Sequence, residues 1–307
     1  MEELKEKGPE VDGSRFEALD RKVSRFSRAH TRALSMRDYI RSTRDMPEGS
    51  QERAEKLEKC GSWLLFRDYY ELGEVRLHAA NFCHQPLLCP LCAILRGARS
   101  LEHYMARVEY LRHERPLLRA FMVSFTVRNG SDLGERLAHL LESMRRLHFR
   151  RRKGYSSLAG VEGGVESVEI KRGRGSRLWH PHIHAVYLAE RRPSQAALRR
   201  EWLEITGDSH QVDVQEMGDT VKDYCEVFKY AVKFSGLSLP DNWEAFEVCS
   251  RRRLIRSWGV LRGVDDVDKL TEDEILAAKY QEIFFRFVDG CYELVDASVY
   301  GKGRIRV

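Results

Sequence analysis

The sequence lacks the segments that would insert the chain into a membrane or direct it to secretion. No apolar run reaches membrane-spanning length, and MEELKEKGPEVDGSR, at the start of the chain, contains no hydrophobic signal region. The seven cysteines are an odd number for a chain of 307 residues, which argues against a secreted disulfide framework. We therefore expect a cytoplasmic protein with no membrane contact, whose cysteines are reduced or bind metal.

The chain also lacks internal repeats, low-complexity tracts and a strong charge of one sign. It is 42% hydrophobic, enough for one good core, and 32% charged, with a net charge of +5. This modest basic excess permits a nucleic-acid partner without proving one. Basic residues cluster at 148–155, 171–177 and 251–256. Most such clusters are solvated surface, but the second lies between two strands with candidate site residues, which favours contact with phosphate.

Sequence patterns divide the chain into four segments. They are a charged, partly helical N-terminal arm (1–55), a cysteine-rich module with its following helix (56–115), a sheet-bearing domain (116–240) and a C-terminal region (241–307). The last segment contains a helical pattern at 273–287 and a strand-like end.

The third segment alternates strands with helices. Strand-like patches at 117–127, 164–171, 182–189 and 211–217 are interleaved with helical stretches at 133–149 and 193–206. The Gly- and Arg-rich residues 171–177 suit a hairpin between the second and third patches. The pattern predicts an α+β fold with a central, mostly antiparallel sheet flanked by helices.

Four cysteines lie within a short stretch before that domain. Cys89 and Cys92 in CPLC have the spacing of zinc ligands, and Cys83 and Cys60 complete a set of four. His84 and His78 are rival fourth ligands, and buried inert thiols are the plainer alternative. We predict a small structural zinc module, because four thiolates leave no open coordination position for catalysis.

A histidine-rich strand is the most informative stretch. In WHPHIHAVYLA, His182 and His184 are two residues apart, so a strand places both on one face while Ile183 packs into the core. The upstream strand VESVEI offers Glu169 as a carboxylate. Two imidazoles and a carboxylate fit Mn²⁺ or Mg²⁺ at a phosphate, and they also fit non-haem iron. Whether His180 is a further ligand is left open.

A tyrosine-bearing helix follows in DYCEVFKYAVKF. Glu226 and Tyr230 are four residues apart and share one helix face, and Lys233 lies on the same side. Alone, this is the solvated stripe of an amphipathic helix. With the metal strand, Tyr230 becomes a nucleophile, Lys233 or Lys229 a group that lowers its pKa or holds a phosphate oxygen, and Glu226 an activator of water.

These three blocks, in this order, resemble the HUH endonucleases, specifically the plasmid rolling-circle replication initiators of the staphylococcal type. The similarity spans roughly residues 58–263 and includes the stretch RRRLIRSWGVLRG. The resemblance implies that residues 116–240 form the HUH nuclease domain. It implies nicking of one strand at a plasmid double-strand origin through a 5′-phosphotyrosine on Tyr230. Glu226, in place of a second tyrosine, implies termination by hydrolysis. Tyr224 lies six residues before Tyr230, so a one-tyrosine enzyme is expected.

The same resemblance implies bacterial cytoplasmic partners: origin DNA as a single strand or cruciform, a host helicase and a DNA polymerase, with a homodimer as a further expectation. The basic residues expected to contact DNA are Arg172, Arg174, Arg177, Lys229, Arg251, Arg252 and Arg253. The alternatives are an HUH transposase or relaxase with the same chemistry, and a non-catalytic zinc-containing DNA-binding regulator. A non-haem iron oxygenase would leave the tyrosine helix and the basic clusters unexplained.

Overall fold

A computed structural model of the protein describes residues 13–69, 72–173, 175–218, 224, 236–263 and 280–300. In chain order the described elements are α1 (Gly13–Ser42), α2 (Ser50–Lys59), β1 (Trp63–Tyr69), β2 (Glu74–Ala80), α3 (Pro90–Glu114), β3 (Arg119–Thr126), α4 (Leu133–Arg152), β4 (Val161–Arg172), β5 (Trp179–Ala189), α5 (Gln195–Thr206), β6 (Val212–Glu216), α6 (Leu239–Cys249), β7 (Ile255–Gly259), β8 (Tyr280–Val288) and β9 (Cys291–Tyr300). Within these ranges no helix has both the length and the apolar character needed to cross a bilayer.

The chain forms two compact units, which are described one at a time. The first contains residues 1–85, 89–92 and 269–307, and the second contains 86–88 and 93–268. The division into segments 1–55, 56–115, 116–240 and 241–307 concerns sequence pattern and stays a prediction.

The first unit is built on a four-stranded antiparallel sheet in the order β2-β1-β8-β9. The N-terminal arm contributes α1, one side of which is buried, with Ala33, Met36 and Ile40 fully inaccessible to solvent. α1 contacts α2, β2 and β9. Burial of this apolar side packs α1 against the sheet.

The helix predicted at 273–287 is wrong from Tyr280 onward, where the chain is the strand β8. Ile283 and Phe285 are both 9% exposed, and the side chain of Phe284 between them is less buried. Leu64 of β1 pairs with Phe285 of β8, and β9 pairs with the other edge of β8. Pairing with a strand more than two hundred residues away outweighs the local helical pattern, and β-branched and aromatic residues suit a half-buried sheet. The predicted strand at the end is confirmed as β9.

The second unit confirms the predicted central sheet. Five strands in the order β6-β3-β5-β4-β7 are all antiparallel, and β4 and β5 are the neighbours joined by the 171–177 hairpin segment. Each predicted strand and helix of residues 117–217 is present, with ends shifted by a few residues.

Side chains alternate between two covered faces of this sheet. On one, which we call the α4 face, Ile183, Ala185 and Tyr187 of β5 pack with α4, α5 and α6. On the other, the α3 face, Val186 and Leu188 pack with α3 and with Tyr224. The histidines of β5 lie on the α3 face, since side chains two residues apart on a strand point the same way.

Candidate active site

Three predicted metal ligands meet on the α3 face of the five-stranded sheet. Glu169 of β4 and His182 of β5 are direct cross-strand partners, and Ser167 is the partner of His184. Directly opposite residues in an antiparallel pair have Cβ atoms about 5 Å apart, so this register brings the carboxylate and both imidazoles together. Their ligand atoms all lie within 4.8 Å of one another.

Both imidazoles are aimed at one carboxylate oxygen. His184 Nε2 lies 3.1 Å from Glu169 Oε2, and His182 Nε2 contacts the same oxygen. The Glu169 side chain is 3% exposed and that of His182 is 6% exposed. Buried polar atoms that converge in this way can bind a divalent cation in place of the protons between them, because each deprotonated atom offers a lone pair to the same small volume.

The remaining ring nitrogens of the two histidines are held by the sheet. His182 Nδ1 lies 3.3 Å from the carbonyl oxygen of His180, which can only accept, so Nδ1 donates. His184 Nδ1 lies 3.0 Å from Ser124 Oγ on β3. With Nδ1 of each ring held in this way, Nε2 faces Glu169 and becomes a lone-pair donor once it has lost its proton, the arrangement usual for metal-bound histidine.

The environment keeps Glu169 ionised. Burial by itself would raise its pKa, but hydrogen bonds from His182 and His184, with a further one from Lys171, hold the pKa well below its usual range. A carboxylate and two imidazoles that leave other coordination positions open fit a divalent ion such as Mn²⁺ or Mg²⁺ at a phosphate, and Fe²⁺ by the same donor set. The donors do not distinguish these metals.

The four predicted zinc ligands also meet, in the first unit. Cys60 Sγ lies 3.5 Å from Cys89 Sγ and 3.6 Å from Cys92 Sγ, and Cys83 Sγ lies 3.6 Å from Cys92 Sγ. Sulfurs about 2.3 Å from a tetrahedral zinc are about 3.8 Å apart, whereas disulfide sulfurs are separated by about 2.0 Å. The spacing therefore fits zinc and excludes these disulfides.

Backbone geometry shapes the turn that presents Cys60. Gly61 has a φ of +73°, and a Cβ there would lie 2.9 Å from both Leu91 Cδ1 and the Tyr292 hydroxyl. The Tyr292 hydroxyl donates to the Gly61 carbonyl at 2.5 Å. Only glycine fits this turn without strain, because the left-handed conformation and the close neighbours both exclude a side chain.

Several predicted site residues lie outside the described residues: Tyr230, Glu226, Lys233, Lys229 and Arg174. Tyr224 is described, and it is 2% exposed among apolar side chains of the α3 face. A phenol buried in this way is inaccessible to a DNA strand, and the one-tyrosine enzyme stays a prediction.

The predicted DNA-binding arginines that the structure describes fall in two environments. Arg177 and Arg251, Arg252 and Arg253 are exposed. Arg172 is instead directed to the α4 face, where its guanidinium lies 4.3 Å from the centre of the Trp179 ring and 3.3 Å from Asp241 Oδ1. His180, left open as a ligand, contacts Asn129 through Nδ1.

Sequence reasoning missed two polar neighbours of the site. Ser124 orients His184 from β3, and only the strand register shows this. Lys171 Nζ lies 2.9 Å from Glu169 Oε2. The alternation of β4 could have identified Lys171, since it is two residues from Glu169 and therefore on the same face.

Comparison with known proteins identifies a family for this chain. The family described as "Replication protein" matches residues 74–282, more than half of the chain, including the carboxylate and histidines above and three of the clustered cysteines. "Protein rep" of Streptococcus pneumoniae serotype 2 (strain D39 / NCTC 7466) is 30% identical over 196 residues, covering 58% of this chain and 59% of the relative. "Protein rep" of Bacillus sp is 31% identical over 137 residues, covering 44% of this chain and 43% of the relative.

The chain thus spans less than two thirds of the length of these curated relatives. No solved structure matches it significantly. The resemblance to replication initiators is confirmed at the level of the family. The chain belongs to the replication protein family.

Proposed function

We propose that this protein initiates rolling-circle replication of a plasmid by nicking one strand of the origin. The observation that carries the proposal is the convergence of Glu169, His182 and His184 on one face of the sheet. A divalent ion bound there would polarise the scissile phosphate and stabilise the charge that grows on it. Membership of the replication protein family supports DNA as the substrate.

The proposed nucleophile is Tyr230. Its phenolate oxygen attacks phosphorus, the bond from phosphorus to the 3′ oxygen breaks, and that oxygen leaves as a 3′-hydroxyl after gaining a proton. The product is a 5′-phosphotyrosine that preserves the energy of the phosphodiester bond for strand transfer and religation. Tyr224, six residues earlier, packs on the same α3 face that carries the histidines, which supports the approach of this chain segment to the site.

Glu226 and Lys233 complete the proposed chemistry. Glu226 accepts a proton from water as the water oxygen attacks phosphorus, and the bond from phosphorus to Tyr230 breaks, which frees the phenolate and ends replication by hydrolysis. Lys233 stabilises the phenolate of Tyr230 by its positive charge. The cysteine cluster holds zinc that stabilises the first unit and takes no part in the reaction.

The partners follow from the reaction. The exposed arginines at 177 and 251–253 contact origin phosphates, and Arg172 takes part only if it leaves Asp241. The 3′-hydroxyl serves a host polymerase, and a host helicase unwinds the template. A bacterial plasmid places these events in the cytoplasm. A homodimer remains an expectation.

A covalent adduct tests the proposal. The protein is incubated with labelled single-stranded origin DNA and Mn²⁺ and resolved on a denaturing gel. We expect a protein–DNA band that EDTA abolishes and that Tyr230→Phe lacks, whereas Tyr224→Phe, the matched control with a buried phenol, still forms it.

The outcomes separate the alternatives. Adduct on transposon ends or a transfer origin, but on no plasmid origin, would assign the same chemistry to a transposase or relaxase. Specific origin binding without cleavage in any divalent metal would assign a non-catalytic regulator. Adduct mapped by peptide analysis to Tyr224 would refute the role of Tyr230.

A further inference from the structure

The candidate metal ligands belong to a longer row of facing polar residues on β4 and β5. Three successive cross-strand pairs share the α3 face: Ser167 with His184, Glu169 with His182, and Lys171 with His180. The first two pairs hold the ligands. The third lies at the next position along the strands, about 7 Å farther on, since a strand rises about 3.4 Å per residue.

The third pair contains a cation that is directed at the site and still reaches water. Lys171 Nζ is 2.9 Å from Glu169 Oε2, and the lysine side chain is 53% exposed whereas that of Glu169 is 3% exposed. A half-exposed ion pair of this kind contributes little to stability, so its ammonium is easily redirected. A carboxylate that ligates a divalent ion also attracts an ammonium less strongly, because the ion neutralises much of its charge.

His180, opposite Lys171, is held in place and offers no proton to a ligand. Its Nδ1 contacts Asn129 Oδ1, an acceptor, so the ring proton is committed there. The Gly130 and Trp179 backbones hydrogen-bond to each other at 2.7 and 3.1 Å, which fixes the start of β5 beside the loop that carries Asn129. In this pair Lys171 is therefore the hydrogen-bond donor and the positive charge.

The next residue along β4, Arg172, is also a cation, but its side chain points away from the candidate metal ligands. Arg172 belongs to the opposite, α4 face, where it is tied to Asp241 and lies over Trp179. Adjacent residues on a strand point to opposite faces, so two consecutive cations have different surroundings. Arg172 lies beside α6, whereas Lys171 lies beside the candidate metal ligands.

We infer that Lys171 binds a phosphate of the DNA strand next to the metal ligands, and so positions the strand for the nick. This inference rests on the proposed function, and it adds a substrate-binding residue at the same site. The ammonium pairs with Glu169 when the site holds no metal ion. It turns to a phosphate oxygen when an ion occupies the carboxylate.

Binding rather than cleavage tests the inference. All variants carry Tyr230→Phe, so that labelled single-stranded origin DNA stays intact in Mn²⁺, and affinity is measured by fluorescence anisotropy over a range of salt concentrations. Loss of one phosphate contact on a single strand lowers the slope of log affinity against log salt by about 0.7. We expect Lys171→Met to show this change with an affinity loss of about tenfold, and Lys171→Arg to retain the parental slope.

The matched control is Lys56→Met. Lys56 is 54% exposed and paired with Glu52 on α2, so it has nearly the exposure and the same kind of partner as Lys171, but α2 carries none of the predicted DNA-binding residues. The slope of log affinity against log salt should therefore be the same for Lys56→Met as for the parent. An uncharged methylphosphonate is then placed at each position of the oligonucleotide in turn to locate the contact. At that position the parent loses affinity for the DNA, whereas Lys171→Met loses none.

The results are separable from those of the nicking assay. An unchanged salt slope in Lys171→Met, or equal sensitivity of parent and variant to every methylphosphonate, would overturn the role of Lys171 even where the adduct forms. Absence of the adduct in the Tyr230 parent, with the slope change present, would overturn the nicking proposal and leave the phosphate contact standing.

Discussion

Two buried glutamates on β4 allow stability and chemistry to be separated by matched substitutions. Glu166 and Glu169 are three residues apart, their side chains are 6% and 3% exposed, and each accepts hydrogen bonds from a histidine and other donors. They differ in the face of the sheet. Glu169 belongs to the α3 face with the metal ligands, and Glu166 belongs to the α4 face.

The Glu166 carboxylate gathers three donors on one oxygen. His148 Nε2 and the Tyr187 hydroxyl each lie 2.7 Å from Oε1, and Trp258 Nε1 lies 3.1 Å from it. Burial, and then the neighbouring carboxylate, raises the pKa of Tyr187 well above its usual value, so the phenol stays protonated and donates. These contacts connect β4, β5 and β7 to α4, and therefore stabilise the second unit.

The expected cost of Glu166→Gln follows from these contacts. A hydrogen bond to a charged group contributes about 1 kcal/mol more than one between neutral groups, so three such bonds lose about 3 kcal/mol. The substitution also buries an amide NH₂ group in place of a carboxylate oxygen. Burial of that group without a hydrogen-bond acceptor lowers the unfolding free energy further. Urea unfolding followed by tryptophan fluorescence measures the change, with Mn²⁺ affinity and the covalent adduct measured on the folded fraction.

The two variants should give opposite results. Glu166→Gln should lose about 3 kcal/mol of unfolding free energy and keep parental Mn²⁺ affinity. Glu169→Gln should weaken Mn²⁺ binding by about a hundredfold or more and lose the adduct, because loss of a ligand costs at least as much as loss of its supporting contacts. A stability change below about 1 kcal/mol in Glu166→Gln, or loss of Mn²⁺ binding by its folded form, would refute the reasoning.

Three further predictions concern the metals and the end of the reaction. Freshly purified protein should contain about one zinc ion per chain, and Cys89→Ser should lower the midpoint of thermal unfolding more than it lowers adduct formation per folded molecule; soluble protein without zinc by metal analysis would contradict this. EDTA should abolish nicking, as should His182→Ala or His184→Ala in a folded protein shown by circular dichroism, and an active double variant would contradict the metal site. Glu226→Ala should still form the adduct but release it at least about a hundredfold more slowly, measured by a chase on a denaturing gel, with parental release counting against the role of Glu226.

The sequence alone identified the elements whose pattern is local. Alternation in the histidine strand placed His182 and His184 on one face with Ile183 opposite, and the structure has this arrangement. The spacing of Cys89 and Cys92 indicated a metal module, and all four cysteines do cluster. Such features need only a period of two residues or a short turn, so neighbouring residues contain the information.

The tertiary structure decided whatever depends on pairing between distant segments. β8 is a strand because β1 and β9 bind its two edges, although its own sequence favoured a helix. The packing of α6 against the α4 face, and not the run of basic residues, put Arg172 beside Asp241, which lies far away in the sequence. Hydrogen bonds between strands and burial of one face contribute more free energy than local propensity does, and the partners that supply them lie far away in the sequence.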